Sequence, residues 1–319
     1  MNARSALTIL AHFNSDSLPL SDMATLGSAK LTTPDKALFR VNDRGDPMKR
    51  APLVPLMPLT IVALLATAMP TDAQWLHYPT AGVPRAPDGK PNLSAPAPRT
   101  ADGRPDLSGI WQLEARCPPE GCADYSAAPE FRDFGAKLAG GLPYQPWAAD
   151  LVKQRTAELG RDDPVGRCRP GGALRILTYP PPRKILQLPG LVVILSERDV
   201  TYRQIFTEGR PLPKDPEPTW NGYSIGNWEK DTLVVQTIGL RDGTWLDRNG
   251  SPMTDAARIT ERFRRVSYGR LEIAVTVDDP KAYTKPWTVT LNQLIMPDTE
   301  LLDYHCMDNE KDAAHLTGK

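Results

Sequence analysis

From about Arg183 onward, apolar and polar residues alternate along much of the chain. The clearest case sets Leu271, Ile273, Val275 and Val277 against Glu272, Ala274, Thr276 and Asp278. A period of two puts each set on its own face of a β-strand, one toward a core and one toward water. The same reading predicts strands over Arg183 to Leu188, Leu191 to Glu197, Thr201 to Phe206, Tyr223 to Trp228, Thr232 to Ile238, Arg258 to Arg265, Arg270 to Asp278, Thr288 to Ile295 and Glu300 to Cys306. Most are separated by short turns such as Pro189-Gly190, Glu229-Lys230 and Tyr268-Gly269, the spacing of an antiparallel meander. With a further strand at Gly109-Ile110-Trp111-Gln112-Leu113, roughly eight to ten strands are available, enough to close a barrel and leave no edge. The expected fold is mainly β, an antiparallel up-and-down barrel with one covering helix; a β-sandwich is the alternative.

The pattern changes in three places. Pro146 precedes Trp147 to Leu159 and Gly160 follows, which predicts a helix over 147–159 with Trp147, Leu151 and Val152 facing a sheet. Residues 74–106 are rich in Pro, Gly and small polar residues, and Asp88-Gly89-Lys90-Pro91-Asn92-Leu93-Ser94 returns as Asp102-Gly103-Arg104-Pro105-Asp106-Leu107-Ser108. Such Asp-Gly turns predict an extended arm that feeds the first strand. Further upstream, Met48-Lys49-Arg50, the apolar run Ala51 to Met69 and Ala73 before Gln74 follow the order of a secretory signal peptide. Residues 1–47 are then expected to precede the true start, 48–73 to be the signal, and 107–319 to form one domain.

The chain of 319 residues carries 38 basic and 38 acidic side chains. That balance offers nucleic acid no basic footprint, and the apolar run is too short and too broken by proline for an integral membrane segment. All four cysteines, Cys117, Cys122, Cys168 and Cys306, fall in the segment expected to be exported, where disulfides persist. Four cysteines allow three connectivities. The Pro118-Pro119-Glu120-Gly121 turn favours Cys117 with Cys122, leaving Cys168 to pair with Cys306.

The segment Asp106-Leu107-Ser108-Gly109-Ile110-Trp111 resembles the Gly-x-Trp opening of lipocalins and other calycins. The resemblance implies that Trp111 packs at the closed end of the barrel under a basic side chain from a late strand, Arg262 or Arg264. From about Asp102 to Gly318 the chain also resembles a family of exported bacterial proteins marked by DGRPDLSGIW, IFTEGRPLPKDPEPTWNGYSIGNWEKDTLVV and ERFRR...LEIAVTVDDPKAYTKPW. That likeness implies a secreted or periplasmic β-rich protein and brings no activity with it.

No nucleophile elbow, HExxH, P-loop or dinucleotide fingerprint is present, so no cofactor is expected. His305, read as lying in a strand beside Cys306, is the best-placed acid-base imidazole. A polar set made of Glu197, Tyr202, Gln204, Tyr223 and Glu261 is the second candidate; facing inward, it would combine carboxyls and phenols with Arg183 or Arg203 as anion holders. The proline-rich stretch Gly209 to Trp220 reads either as a lid presenting Trp220 and Tyr223 to a ligand or as an outer loop, with Trp228 and Gln236 as further ligand contacts. Two functions compete on these residues. One is a barrel binding a small, largely apolar molecule; the other is a cofactor-independent isomerase, lyase or hydrolase of a small aromatic or terpenoid-like substrate.

Overall fold

The computed structural model describes residues 79–115 and 128–306. The signal-like segment, residues 1–47, His77, His315 and the Cys117/Cys122 pair lie outside the described residues.

Eleven strands are formed: β1 (Gly109–Leu113), β2 (Arg183–Leu188), β3 (Leu191–Ser196), β4 (Thr201–Phe206), β5 (Tyr223–Glu229), β6 (Thr232–Ile238), β7 (Thr244–Trp245), β8 (Pro252–Met253), β9 (Arg258–Ser267), β10 (Arg270–Asp278) and β11 (Trp287–Ile295). Nine of them close a barrel in the order β1-β11-β10-β9-β6-β5-β4-β3-β2, while β7 and β8 make a separate two-residue hairpin. This is the mainly β, closed barrel that the alternation predicts, consistent with the calycin-like form that the Gly-x-Trp resemblance implies. One pairing departs from a pure meander. Thr207–Gly222 doubles back outside the wall, so β5 lies parallel to β4 through Ile205 opposite Ser224 and Phe206 opposite Ile225. Residues 300–306 form no strand; apart from the bridge of Tyr304 to Arg198 they run as an extended segment on the surface.

Alternation decides what fills the barrel. Ile259, Glu261, Phe263 and Arg265 of β9 are buried, as are Leu271, Ile273, Val275 and Val277 of β10 and Trp287, Val289, Leu291, Gln293 and Ile295 of β11. The intervening residues face out. The β2-β3, β5-β6 and β9-β10 turns lie at one end of the barrel. The other end is capped by α1 (Pro129–Arg132), α2 (Pro146–Ala157), a 3-10 turn (Pro164–Arg167), α3 (Gly172–Arg175) and the β7-β8 hairpin.

The helix at 146–157 packs differently from the expectation. Only Ala148 is buried; Trp147 is 47% exposed and donates its indole N–H to Lys281 O at 2.8 Å. Leu151 and Val152 are half-buried, and Arg155 lays its guanidinium 4.3 Å over the Trp245 ring and donates to Gly250 O. The helix thus rests on the cap and not on the sheet.

The cap is stapled by buried carboxylates. Asp247 accepts from Phe134 N, Ser251 N and Ser251 Oγ, and Ser251 Oγ also meets the Tyr144 hydroxyl at 2.8 Å. Asp279, in the Asp278-Asp279-Pro280-Lys281 corner, accepts from both Thr254 N and Thr254 Oγ1. Each takes its hydrogen bonds from within the cap, which is what a buried carboxylate needs.

At the turn end Trp111 closes the barrel, 1% exposed, its indole N–H donating to Leu107 O at 3.0 Å. The cation over its ring is Arg265 at 4.9 Å, not Arg262 or Arg264, which face solvent and pair with Glu229 and Glu272. Arg265 shares the inward parity of Glu261 and Phe263 and donates to the carbonyls of Asp106, Ser108, Ser267 and Tyr268. Burial pushes its pKa down to about 10, although Asp106 and Tyr268 pull the other way; it is charged at neutral pH.

The sequence repeat is a structural repeat. Arg85 bridges Pro91, and Arg99 bridges Pro105 in the same way. Both turns use a glycine with φ near +80°, Gly89 and Gly103, where a side chain would be strained. Arg85 Nη1 and Arg99 Nη1 each donate to the carbonyl of that glycine. Each arginine then reaches a barrel turn, Arg85 to Asp298 and Arg99 to Asp231. The arm is therefore two matched clips on the barrel.

Candidate functional site at the capped end

The barrel interior is filled. Arg203 and Glu261, 1% and 0% exposed, form an ion pair across it through both carboxylate oxygens. Arg203 also donates to Ser224 Oγ at 3.2 Å and Thr237 Oγ1 at 2.8 Å, and those two hydroxyls bond one another. Nearer the cap, Arg183 donates to Ile176 O, Tyr179 O and Gln293 Oε1, while Gln293 Nε2 donates to Leu177 O. Burial without a carboxylate partner pushes the Arg183 pKa down to about 9. The void among Trp111, Leu177, Arg183, Ile185, Ile194, Leu271, Ile273 and Gln293 is about 10 Å³, room for one water. Arg183, Arg203 and Glu261 do face inward together, but their hydrogen bonds are spent on the protein itself.

The other predicted residues are scattered. Tyr202 is 63% exposed on the outer face of β4, and Gln204 shares that face. Tyr223 is also outside, stacked on Phe206 and bonded by Arg210 Nη1 at 3.1 Å. Gln236 is exposed. Trp228 points inward at the turn end, under Arg104. His305 lies in an exposed, non-strand position. Glu197 accepts from Leu302 N and so holds the C-terminal segment. Alternation reads parity correctly only where one parity is apolar; Tyr202, Gln204 and Phe206 look no less buried in sequence than Thr201, Arg203 and Ile205.

The proline-rich loop is not a lid over the barrel axis. Arg210 lies over the Phe206 ring on the outer wall, Trp220 is half-buried under Arg241, and Thr219 bridges Leu240. Lys214, Pro216 and Pro218 wall an open hollow of about 260 Å³ together with Gly239, Leu240 and Asp255–Arg258.

The feature that sequence reasoning missed is a polar cluster where α3, the β3-β4 turn and the end of the long loop meet. Tyr179 is 2% exposed, yet its hydroxyl has no hydrogen-bond partner among the described residues. The guanidiniums of Arg175 and Arg198 stand 5.7 and 5.2 Å from its ring centre. Burial pushes the Tyr179 phenol up to about 12, while the two arginines draw it back. Arg175 is neutralised by Asp163 in a bidentate pair, and its Nε has no partner among the described residues. Asp199 has a side chain only 5% exposed, and among the described residues neither of its oxygens accepts a hydrogen bond and Arg198 Nε, at 3.7 Å, is its ion-pair partner. Burial raises the Asp199 pKa, and Arg198 and Arg175 lower it by less.

Around this core stand two more unpartnered atoms, Ser196 Oγ and Asn221 Oδ1. Ser196 faces Thr201 across the β3-β4 turn, and Asn221 Nδ2 donates to Thr201 Oγ1 and Tyr202 O. Seven of the ten buried side-chain polar atoms left without a partner among the described residues therefore fall in one place. The turn that carries Asp199 is strained as well: Asp199 has φ +64° and Val200 φ +44°, and a β-branched residue there is an outlier. Two glycines make room for the cluster. A Cβ on Gly171 would collide with the Tyr179 hydroxyl, and one on Gly172, at φ +79°, would meet Trp220 O at 2.9 Å.

The cluster's pH behaviour follows from Asp199. Its raised folded-state pKa means that the native chain holds the proton longer than the unfolded chain, so stability falls as pH rises from about 4 through the folded value and stays lower above it. Asp199→Asn is expected to flatten that slope and to be more stable than the parent chain at pH 7, since asparagine accepts the left-handed backbone. Urea midpoints measured between pH 4 and 7 check this; parallel curves for the two chains would show that Asp199 is solvated like a surface acid.

Two further parts of the cap matter to the site. The disulfide Cys168–Cys306 ties the C-terminal segment beside it, as the sequence predicts. Tyr304 on that segment places its ring 5.4 Å from the Arg198 guanidinium carbon. No family model matches the chain, and no curated protein matches it.

Proposed function

We propose that the protein is an exported small-molecule-binding barrel whose ligand sits at the capped mouth and not between the staves. The observation that carries this reading is the convergence of unpartnered buried polar atoms on Tyr179, Asp199, Arg175, Arg198, Ser196 and Asn221. An unmet buried polar group costs about 1–3 kcal/mol, so a chain that keeps several together gives up stability unless something else meets them. Binding sites are where folded proteins accept such a cost. The ligand suited to the mouth is small and polar, with both donors and acceptors, in place of the largely apolar guest expected from the sequence. Export is supported by the Cys168–Cys306 bridge and by the signal-like segment at 48–73. No described helix is long and apolar enough to cross a membrane.

Tyr179→Phe tests the site. The ring contacts with Phe131, Arg175 and Arg198 survive and only the unpartnered hydroxyl is lost, so stability is expected to stay within about 0.5 kcal/mol or to rise. Native mass spectrometry of the full chain recovered from a periplasm is expected to show a retained small mass that Tyr179→Phe and Asp199→Asn lose. If both variants keep the parent's retained mass, the ligand sits elsewhere.

A second reading is favoured by the juxtaposition of a raised carboxyl with a phenol and two guanidiniums. In that reading Asp199 is a general acid and Arg198 an oxyanion holder for a cofactor-independent isomerase, lyase or hydrolase. Turnover that vanishes in Asp199→Asn while the ligand mass is still retained would select it over simple binding.

A further inference from the structure

The C-terminal segment makes an unusual journey. After β11 ends at Ile295, at the turn end of the barrel, the chain runs along the outer wall to the capped end. Lys184 holds Glu300 at 2.9 Å, Leu302 N donates to Glu197 Oε2 at 3.0 Å, Tyr304 bridges Arg198, and Cys306 is bonded to Cys168. This strap ends where the mouth cluster begins.

Its effect falls on Arg198. One face of the guanidinium meets the Tyr179 ring at 5.2 Å and it meets the Tyr304 ring at 5.4 Å. Stacking on aromatic rings fixes the plane of a guanidinium and leaves its N–H edge as the part free to recognise something. Among the described residues that edge makes no hydrogen bond, and the contact with Asp199 is an ion pair at 3.7 Å measured at Nε. Arg175, the other cation in the cluster, is committed to Asp163 through both terminal nitrogens. Arg198 is therefore the cation of the mouth whose edge is uncommitted among the described residues, and a guanidinium edge matches the two oxygens of a carboxylate.

Resting on the mouth as the binding site, we propose that Arg198 receives the carboxylate of a small organic acid edge-on, clamped between Tyr179 and the Tyr304 of the disulfide-tethered strap. Asp199 and Tyr179 then face the rest of the ligand. Charge sets one condition on this. Arg175 and Asp163 cancel, and an acid entering beside Arg198 competes with Asp199 for one cation, so the incoming carboxylate is accommodated when Asp199 turns or takes a proton. Arg198 itself keeps 24% of its side chain exposed, so an acid can reach it without unfolding the cap.

The test uses the full chain and three acid–amide pairs: acetate with acetamide, succinate with succinamide, and benzoate with benzamide. Thermal shift and calorimetry are read for the parent chain, Arg198→Gln, Arg198→Lys and the double variant Cys168→Ser/Cys306→Ser. At least one acid is expected to bind ten-fold or more tighter than its amide. Arg198→Gln is expected to abolish that preference, and Arg198→Lys to keep a small part of it, because a lysine has charge but no planar edge. Loosening the strap is expected to weaken the acid by several-fold, since Tyr304 no longer holds the plane.

Acids and amides that bind alike, or an acid preference untouched in Arg198→Gln, overturn the assignment of Arg198 while leaving the mouth as the binding site. Unchanged acid affinity in the serine double variant overturns the strap's part. If none of the six probes binds, the organic-acid class is rejected. The retained mass and its loss in Tyr179→Phe report separately on whether the mouth binds at all.

Discussion

Glu261→Ala is expected to cost about 3–5 kcal/mol of unfolding free energy, enough to unfold a marginal domain. Among the described residues the carboxylate is the only charge that answers Arg203, and both groups are sealed inside the barrel. Removing it leaves a guanidinium with two hydroxyls, Ser224 Oγ and Thr237 Oγ1, and no anion. The pair itself is a weak stabiliser, because two ions were taken from water to make it. The double variant Arg203→Met/Glu261→Leu is therefore expected to recover most of the loss, or to exceed the parent. Urea titrations followed by far-UV circular dichroism give both values. A single variant costing less than about 1 kcal/mol would mean that water reaches Arg203, and the picture of a sealed interior would fail.

The second large effect belongs to the opposite end. Trp111→Ala is expected to cost about 3–5 kcal/mol, because the indole is fully buried, fills the barrel floor and donates to Leu107 O. It also removes the ring beneath Arg265, whose four carbonyl contacts tie Asp106, Ser108, Ser267 and Tyr268 together. The damage is expected to spread to the arm, which enters β1 through those carbonyls. Limited proteolysis reports it: cleavage between the second clip and β1 rises in Trp111→Ala, whereas Trp111→Phe, which keeps a ring under the cation, shows little of it. Equal cleavage in both variants would separate the arm from the ring.

Strand positions were legible because hydrophobic burial imposes a period of two, and in β10 and β11 nothing competes with it. Legibility fails where both parities are equally polar, and this explains the errors. In β4 the inward residues are Thr201, Arg203 and Ile205, no more apolar than the outward Tyr202, Gln204 and Phe206. In β9 the run Arg262-Phe263-Arg264-Arg265 offers three arginines, and only Phe263 marks the buried parity that Arg265 shares. The parallel pairing of β5 with β4 had no local signal, since it depends on where a proline-rich loop turns outside the wall. The mouth cluster had none either. Tyr179, Arg175, Asp199 and Asn221 come from segments without periodicity, and closure of the barrel brings them together. The Cys168–Cys306 bridge was legible by elimination, because the short turn between Cys117 and Cys122 was read as favouring their pairing, which lies outside the described residues.

The barrel closes where β1 meets β11, so the first and last staves are neighbours though nearly the whole described chain separates them. A chain delivered from its N-terminus cannot zip that seam until Trp287–Ile295 has emerged. Until then β1 has only β2 to pair with, Trp111 lacks its partner Ile295, and the strap that carries Cys306 has not appeared. Closure thus waits on the last stave to be made, with the slow, long-range pairing that such topologies impose. The sheet therefore stays open until its last stave arrives, and the seam is the last part of the wall to form.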